Sequence, residues 1–325
     1  MKALKYSDVT LIPNFSSCES RSNGDVSTEI AGRRYKLPVI PSNMKSVIDV
    51  RHCKWLSEND YFYIMHRFDL DIQRFIEDAN RGNWKTISVS LGVKAADKAI
   101  VQNLRASGAR VDFVTIDIAH GYSQLMCDMI KFTRDNLGKN VCIIAGNVCT
   151  PDAVVALSAW GADYIKLGIG QGSPCTTKDK TGFTLPMFTT VRKSKDCYKS
   201  HEDFNLSARI PIIADGGVAC NGDIAKSLAA GADLVMAGGL FACCSDSPSH
   251  SIEVNGVIHK AYYGSASFEN KKTRTHIEGI LKNIPSCGMN LKTKLIEIEE
   301  DLKSAISYGG GTDLSCFKDV KYIEI

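Results

Sequence analysis

Short apolar runs alternate along this chain with longer stretches in which apolar residues recur at helical spacing. The runs are rich in valine and isoleucine and nearly continuous in hydrophobicity, which is typical of parallel strands buried on both faces. Eight such runs occur, at residues 37–44, 62–68, 86–92, 113–120, 141–148, 164–170, 211–217 and 234–239. The pattern therefore predicts eight buried strands.

Helical patterns fill most of the gaps between these runs. The predicted helices span residues 95–107, 122–136, 153–159, 221–230 and 291–306. A glycine follows each of the first four within two residues, as expected at helix C-termini, and Thr150 with Pro151 forms an N-terminal signal for the third. The alternating order predicts one α/β domain over residues 1–325, a (β/α)8 TIM barrel. A doubly wound open sheet is the alternative, and it differs by a reversal of strand order that the sequence does not reveal.

Two segments interrupt the repeat. The first is a long connection at residues 183–209, for which we predict the end of a mobile loop followed by a helix. The mobile loop begins at the glycines from residue 168 and spans residues 168–186. Residues 245–288 are polar and follow the eighth run. We call this second segment the flap, because its position predicts that it covers the barrel mouth.

Composition narrows the functional classes. The 325 residues are 44% hydrophobic and carry a net charge of +3, with no basic stripe that would favour nucleic acid. No apolar run approaches the roughly 20 residues of a membrane span, and Asp8 and Pro13 interrupt the N-terminal apolar patch, which makes it a poor signal peptide. The 12 cysteines are scattered without a CxxC pair, which argues against zinc. We expect a cytoplasmic protein with mostly structural thiols and no nucleic-acid or membrane partner.

The sequence GIGQGSPCTT, at residues 168–177, carries the clearest chemistry. It places Cys175 on a glycine-rich turn after the sixth run, where glycine lets the backbone approach a ligand and backbone dipoles favour a thiolate. Ser173 suits a phosphate oxygen, and Thr177 adds a second hydroxyl. An ordinary glycine-rich loop with an incidental cysteine is the alternative interpretation.

Barrel active sites lie at the carboxyl ends of the strands, and two more runs end in glycines there. The seventh run ends in Asp-Gly-Gly at 215–217 and the eighth in Gly-Gly at 238–239. Free backbone N–H groups at such ends bind phosphate. The predicted cradle consists of Ser173, Gly217, Gly238 and Gly239. Asp215 would repel phosphate and fits a ribose hydroxyl better.

Other strand ends offer weaker candidates. Asp117 closes the fourth run and is either a helix N-cap or a cofactor-facing carboxylate, and His120 beside it is more simply structural. His66 and Arg67 close the second run and offer positive charge to a cofactor phosphate or to a surface carboxylate. In the flap, Glu278 is a candidate for proton transfer if it reaches the Thr177 hydroxyl.

Ten sequence motifs, taken together, resemble those of a known family. The motifs, which run along essentially the whole chain, are YSDVTLIP, LPVIPSNM, YFYIMHRF, TIDIAHG, IIAGNV, GIGQGSPCTT, IIADGGVACNGDIAKSLAAGAD, YYGSAS, IEG and SYGGGT. The chain resembles the IMP dehydrogenase/GMP reductase family, and the reductase branch more than the dehydrogenase branch.

The resemblance implies an NADPH-dependent reductive deamination of GMP to IMP and ammonia. It implies that Cys175 attacks C2 of the purine and that ammonia leaves, giving a covalent thioimidate, which a hydride from NADPH then reduces. Thr177 and Glu278 correspond to the pair that protonates the departing amine.

The resemblance also implies the binding residues. Phosphate, ribose and base contacts fall on Ser173, Asp215, Gly216, Gly217, Gly238, Gly239, Gly264, Ser265, Ala266 and Gly279. Cofactor contacts fall on Ser20, Arg21, Arg67, Asp117, Ile118, Ala119, Gly168 and Ile169. Ser20, Arg21 and Arg67 are expected to meet the adenosine phosphate end of NADPH across a subunit boundary of a homotetramer. A monovalent cation, potassium in the family, is expected on the backbone carbonyls of Gly170, Gly172 and Cys175.

Two alternatives stay open at this point. A minimal IMP dehydrogenase would oxidise IMP with NAD, but that branch carries an inserted regulatory domain and an Arg-Tyr pair on the flap. Here only a short helix separates the second and third runs, and Arg274 is followed by Thr275. A nucleotide-binding regulator on an inactive barrel would have no need of Cys175.

Gln171 and Pro174 differ from the residues that the family usually has in the cysteine turn, and they bear on the geometry of that turn.

Overall fold

The computed structural model describes residues 2–197, 209–272 and 275–325 of the chain. The strands are β1 (Val9–Leu11), β2 (Thr28–Ile30), β3 (Arg33–Tyr35), β4 (Val39–Pro41), β5 (Ser88–Leu91), β6 (Phe113–Asp117), β7 (Cys142–Val148), β8 (Tyr164–Leu167), β9 (Ile212–Asp215), β10 (Leu234–Ala237), β11 (Ser251–Val254), β12 (Val257–Tyr262), β13 (Lys282–Pro285) and β14 (Tyr322–Glu324). The helices are α1 (Val50–Glu58), α2 (Ile72–Arg81), α3 (Ala95–Ser107), α4 (Gln124–Leu137), α5 (Pro151–Ala159), α6 (Thr177–Thr181), α7 (Met187–Ser194), α8 (Asn221–Ala230), α9 (Gly239–Ala242), α10 (Phe268–Lys271) and α11 (Leu291–Tyr308). Short 3-10 helices lie at Tyr6–Asp8, Arg21–Asn23 and Leu314–Asp319.

A parallel sheet of seven strands, in the order β4-β10-β9-β8-β7-β6-β5, forms the centre of the fold. Helices connect the strands from β5 to β10, so the predicted β–α alternation is confirmed over this part of the chain. The sheet curls, because Ile40 from one edge packs in the same buried cluster as Ile64, which lies beside the other edge.

The prediction of a regular second strand at residues 62–68 is wrong. This segment contributes a single parallel bridge between Met65 and Val89, in which the Met65 N–H donates to Ser88 O at 3.1 Å and the Ser90 N–H donates to Met65 O at 2.9 Å. Side chains replace the rest of the ladder: the Tyr63 hydroxyl donates to Thr86 O at 2.8 Å, and the Ser90 hydroxyl donates to Met65 O at 2.7 Å.

The core has two parts because the strands are buried on both faces. The inner cluster, enclosed by the curled sheet, includes Phe113, Ile144, Ile213 and Met236, all almost fully buried. Neighbouring residues on the same strands point outward to the helices and belong to the larger outer cluster. This alternation of two apolar faces explains why the strands are nearly continuous apolar runs in the sequence.

Helix ends follow the local capping chemistry. The Thr150 hydroxyl accepts a hydrogen bond from the Ala153 N–H at 3.4 Å, and Gly108 adopts a left-handed conformation after α3, as predicted. Helix α4 begins two residues later than predicted because the Ser123 hydroxyl, rather than Tyr122, caps it through the Met126 N–H. Helix α11 continues two residues beyond the predicted end.

The two interrupting segments contain more regular structure than their composition indicates. The predicted helix in 183–209 is present as α7, and residues 198–208 of that segment lie outside the described residues. The flap contains an antiparallel sheet, β11-β12-β13, which we did not predict. Lys260 is buried inside it, and its ammonium donates to Ser247 O at 3.0 Å and to the Ser251 hydroxyl at 3.2 Å. Among the described residues, no helix is long and apolar enough to cross a membrane.

The first turn of α1 contains an acid-sensitive cap. The Asp49 carboxylate accepts a hydrogen bond from the backbone N–H of His52 at 2.9 Å and lies 2.9 Å from Nδ1 of its ring. Burial acts to raise the pKa of Asp49, but the hydrogen bonds from His52 outweigh it and lower the pKa to about 2.

Replacing Asp49 with alanine is therefore expected to lower the free energy of unfolding by about 1 kcal/mol at pH 7. The Asp49 carboxylate stabilises the fold at any pH above about 3.9, the pKa of this group in the unfolded chain. This stabilisation is lost as the pH falls through the lower pKa of the folded state. The difference in unfolding free energy between wild type and Asp49→Ala should therefore shrink between about pH 4 and about pH 2. Urea unfolding as a function of pH measures it. Ser123→Ala removes a cap that does not titrate, and its effect should stay constant with pH. An Asp49→Ala effect that is equally constant would contradict the assignment.

Candidate active site

The glycine-rich turn after β8 brings Cys175 to the carboxyl end of the sheet. The turn begins at Gly168, whose φ of +137° disfavours other residues. A Cβ at Gly168 would lie 2.0 Å from Asp215 O, so glycine is also required by the close approach of β9. The Cys175 N–H then donates to Gly172 O at 2.9 Å, and this turn leaves the thiol half-buried.

Cys175, Thr177 and Glu278 form a chain of hydrogen bonds. The Cys175 Sγ lies 3.1 Å from the Thr177 Oγ1, and the Thr177 hydroxyl donates to Glu278 Oε2 at 2.6 Å. Because the hydroxyl proton is committed to the carboxylate, the Thr177 oxygen accepts from the thiol. The structure thus provides a route for a proton from the sulfur to a carboxylate that lies 101 positions from Thr177 in the sequence.

Backbone hydrogen bonds hold the flap against the cysteine turn. The Thr176 N–H donates to Glu278 O at 2.9 Å, and the Ile280 N–H donates to Pro174 O at 2.9 Å. Cys175 and Gly279 therefore pair as an antiparallel bridge. The same part of the flap is held from its other side, since the Glu278 N–H donates to Ala266 O at 3.0 Å.

A cavity of about 520 Å³ opens in front of the thiol, a volume in the range of small-molecule sites. Most of the predicted site residues line it. They are Arg67, Asp117, Ile118, Ala119, Gly168, Ile169, Gly170, Gly172, Cys175, Thr177, Asp215, Gly216, Gly238, Gly264, Ser265, Ala266, Glu278 and Gly279.

Five predicted residues do not line the cavity. Ser173, Gly217 and Gly239 each lie next in sequence to a lining residue, at the cavity's edge. Ser20 and Arg21 lie elsewhere: the Arg21 guanidinium is 5.3 Å from the Tyr308 ring at the end of α11. Within one chain the structure does not bring these two to the other cofactor candidates.

A buried lysine links two carboxylates at the cavity floor. Lys166 Nζ lies 2.9 Å from Asp117 Oδ1 and 2.9 Å from Asp215 Oδ2, and its side chain is only 3% exposed. Asn43 donates to Asp117 at 3.0 Å, and Asn147 donates to Asp215 at 2.8 Å. Asp117 is therefore part of a buried ion network rather than the N-cap that we left open, because Ser123 caps the following helix.

The charge states of this network follow from the pairing. Burial acts to raise the pKa of Asp117, but the nearby Lys166 ammonium outweighs it, so the pKa of this carboxyl lies below its usual value. Burial acts to lower the pKa of Lys166, but the two carboxylates raise it above the usual lysine value. Asp117 and Lys166 are thus both charged at neutral pH.

The expected positive charge at His66 is wrong. Its ring is buried, and burial lowers the pKa to about 4, so the imidazole is neutral at pH 7. Its Nδ1 accepts a hydrogen bond from the Phe68 N–H at 3.3 Å. Arg67 supplies the cation here, with Nη2 donating to Asp117 O at 3.3 Å. His120 is exposed and does not line the cavity.

Sequence reasoning missed Lys166, Asn43, Asn147 and Lys282. The sequence does contain a signal for Lys166, which is a charged residue inside an apolar run, and buried lysines are rare unless they are paired. Lys282 donates to the Ser173 hydroxyl at 3.2 Å, which places a cation beside the predicted phosphate contact. Nothing in its local sequence indicates this, because β13 and the cysteine turn are far apart in the chain.

The fold and the site together define an α/β protein with a cysteine-centred chemical site at the carboxyl ends of a parallel sheet. The profile of the IMP dehydrogenase / GMP reductase domain matches residues 3–325. A protein of Leptothrix cholodnii named GMP reductase is 45% identical over 323 residues, covering 99% of this chain and 96% of its own. GMP reductases of Acidovorax ebreus and Oenococcus oeni are 44% and 43% identical, each over 99% of this chain and 96% and 97% of their own.

The chain belongs to the IMP dehydrogenase/GMP reductase family. The resemblance inferred from the motifs is thereby confirmed.

Proposed function

We propose that this protein is an oxidoreductase that converts GMP to IMP and ammonia with NADPH. The observation that carries the proposal is the hydrogen-bonded chain from Cys175 through Thr177 to Glu278 at the cavity. A nucleophile, a hydroxyl relay and a carboxylate are the groups that a covalent substitution at a purine carbon requires. Relatives that carry the name GMP reductase support the choice of substrate.

The hydrogen-bond chain accounts for both proton transfers of the first half-reaction, which move the same proton. The sulfur bonds to C2 of the guanine while its proton passes through Thr177 to Glu278. The protonated Glu278 returns this proton through the Thr177 hydroxyl to the departing amine, the C2–N bond breaks, and ammonia leaves a thioimidate. Two further steps would complete the balance: a hydride from NADPH would add to C2, and the C–S bond would break to release IMP and a thiolate, which takes up one proton from solvent.

Charge and shape assign the nucleotide to one side of the cavity. Asp215 would accept from the ribose hydroxyls, and Lys282 beside Ser173 would offset the phosphate charge. The backbone of Gly216, Gly217, Gly238 and Gly239 completes this phosphate site. Gly264, Ser265, Ala266 and Gly279, where the flap crosses the cysteine turn, would contact the base.

The cofactor would occupy the other side, toward β6. The residues that would form that side all line the same cavity, and they are Arg67, Asp117, Ile118, Ala119, Gly168 and Ile169. Ser20 and Arg21 would meet the adenosine end of NADPH bound by a neighbouring subunit of a homotetramer, since they lie away from their own chain's cavity. The nicotinamide would then reach C2 across the cavity floor.

The proposal includes the architecture of the whole domain. We propose that the curled sheet closes into a (β/α)8 barrel in a single domain over residues 1–325. This domain has a mobile loop at 168–186, the flap at 245–288 and no inserted regulatory domain. A potassium ion would bind the carbonyls of Gly170, Gly172 and Cys175, since neutral backbone oxygens on a glycine turn suit such an ion. In the described residues no cluster of His, Cys, Asp and Glu offers a competing metal site. The expected location is the cytoplasm.

Loss of NADPH absorbance that requires GMP and releases one ammonia per NADPH is the expected result with purified protein. IMP with NAD is the paired control, because the alternative of a minimal IMP dehydrogenase uses the same cysteine chemistry. Reduced cofactor and xanthosine monophosphate in that control would establish the alternative. The flap sequence bears on the choice at Arg274, which lies outside the described residues.

A further inference from the structure

On the basis of the function proposed above, we propose that Lys166 is a positioning residue for both ligands. It holds the nucleotide-side carboxylate of Asp215 and the cofactor-side carboxylate of Asp117 in one fixed arrangement. The two halves of the cavity are thereby aligned by a single, almost fully buried ammonium group.

The sheet is built to let Lys166 reach both carboxylates. Asp117 on β6, Gly146 on β7 and Lys166 on β8 are in register across three neighbouring strands. The lysine side chain crosses over Gly146, where a Cβ would lie 2.6 Å from Lys166 Cβ. Asp215 closes the adjacent strand β9. Glycine in the middle of β7 thus provides the space through which the two sides of the cavity are connected.

The hydrogen bonds orient each carboxylate. Asp215 Oδ2 accepts from both Lys166 and Asn147, and among the described residues no group donates to its Oδ1. This leaves Oδ1 for a ribose hydroxyl. Asp117 Oδ1 lies against Lys166 and its Oδ2 accepts from Asn43. The carboxylates of Asp117 and Asp215 are therefore each held in the one side-chain conformation that makes these hydrogen bonds.

Electrostatics makes the arrangement depend on the lysine. The two carboxylates and the ammonium sum to −1 in a site where charges are poorly hydrated, and the Arg67 guanidinium beside Asp117 offsets this charge on the cofactor side only. Without the ammonium, two like charges face each other across β7 and β8, and the side chains relieve the repulsion by rotating apart. This response disturbs both binding sides at once.

Replacing Lys166 with methionine tests this, because methionine keeps the length of the stem and removes the charge. Titration of the full-length protein with GMP, and titration of the IMP-saturated protein with NADPH, should each show affinity weakened about 10- to 100-fold. Lys166→Arg should restore part of both affinities. Because Lys166 holds the pKa of Asp117 down, the weakening of NADPH binding in Lys166→Met should grow as the pH falls, whereas the wild type should not show this change.

Lys294→Met is the matched control. Lys294 is also buried, with a side chain 9% exposed and an ion pair of 2.9 Å to Glu297, but it does not line the cavity. It should leave both affinities within about twofold of wild type. Weakening of one ligand alone in Lys166→Met, or equal weakening in Lys294→Met, would overturn the proposal. A wild-type protein that binds neither ligand would instead overturn the proposed function, and this inference with it.

A double variant covers the case in which Lys166→Met does not fold. Lys166→Met with Asp117→Asn removes one carboxylate together with the ammonium, so two unpaired carboxylates no longer repel each other. Compared with Asp117→Asn alone, the double variant should still bind GMP about 10-fold more weakly, since Asp215 loses its anchor. Equal GMP affinity in the two would refute a positioning role.

Discussion

Replacing Cys175 with alanine is expected to abolish GMP-dependent oxidation of NADPH, with a loss on the order of 10⁴-fold or more. The sulfur is the group that bonds to C2 in the proposed reaction, and the cavity offers no second thiol, because no other cysteine lines it. GMP should still bind, since the phosphate and ribose contacts do not involve the sulfur. Steady-state rates and GMP titration measure the two effects separately.

Cys149→Ala is the matched control for this prediction. Cys149 follows β7 at the same end of the sheet and is half-buried like Cys175, but it does not line the cavity. Its replacement should leave turnover near wild type. Mass spectrometry of wild-type protein quenched with GMP should place a purine adduct on the peptide that contains Cys175. An adduct on another cysteine, or substantial turnover in Cys175→Ala, would remove Cys175 from its proposed role.

Glu278→Gln is expected to slow GMP reduction by about 10²- to 10⁴-fold, the usual range for a lost general acid or base. Glutamine retains the shape and accepts the Thr177 hydrogen bond, but it does not carry a proton to the departing amine. Oxidation of bound IMP by NADP to the thioimidate involves no amine, so this step should keep more of its rate. Single-turnover measurements in the two directions compare the steps.

Thr177→Val should produce a loss similar to that of Glu278→Gln, and the double variant should lose little more than either. The two side chains act on one proton path, in which Thr177 Oγ1 lies 3.1 Å from Cys175 Sγ and 2.6 Å from Glu278 Oε2. The rate losses of the two single variants should therefore not add. Glu253→Gln is the control, since Glu253 is an exposed glutamate of the same flap. Additive losses in the double variant would show that Thr177 and Glu278 serve different steps.

The cysteine turn shows how much of the site the sequence reveals. A turn is a local structure, and glycines at residues 168–172 with hydroxyls around Cys175 are readable from neighbouring residues alone. The same holds for the acidic residues and glycines that end the parallel strands, because all these ends meet at one edge of the sheet. The lining of the cavity consists mainly of such positions.

Lys166 and the flap show what local reading leaves out. The apolar run around Lys166 predicts a strand correctly, but its ammonium has partners on β6 and β9 that only the strand order brings together. The polar flap sequence does not predict the β11-β12-β13 sheet, which is held by pairing across residues 251–285. The run at 62–68 has strand-like composition, yet side-chain hydrogen bonds leave it only one bridge.

The sequence by itself thus determined the α/β alternation, the limits of α3 and α8, the cysteine turn and the family. Each depends on burial periodicity, capping or a contiguous motif, and these are set within a few residues. The tertiary structure alone decided that Thr177 meets Glu278, that His66 is neutral and that Lys166 joins two carboxylates. Those facts depend on distances between residues far apart in the chain and on the desolvation of charge, which arise only once the sheet has curled and the flap has docked.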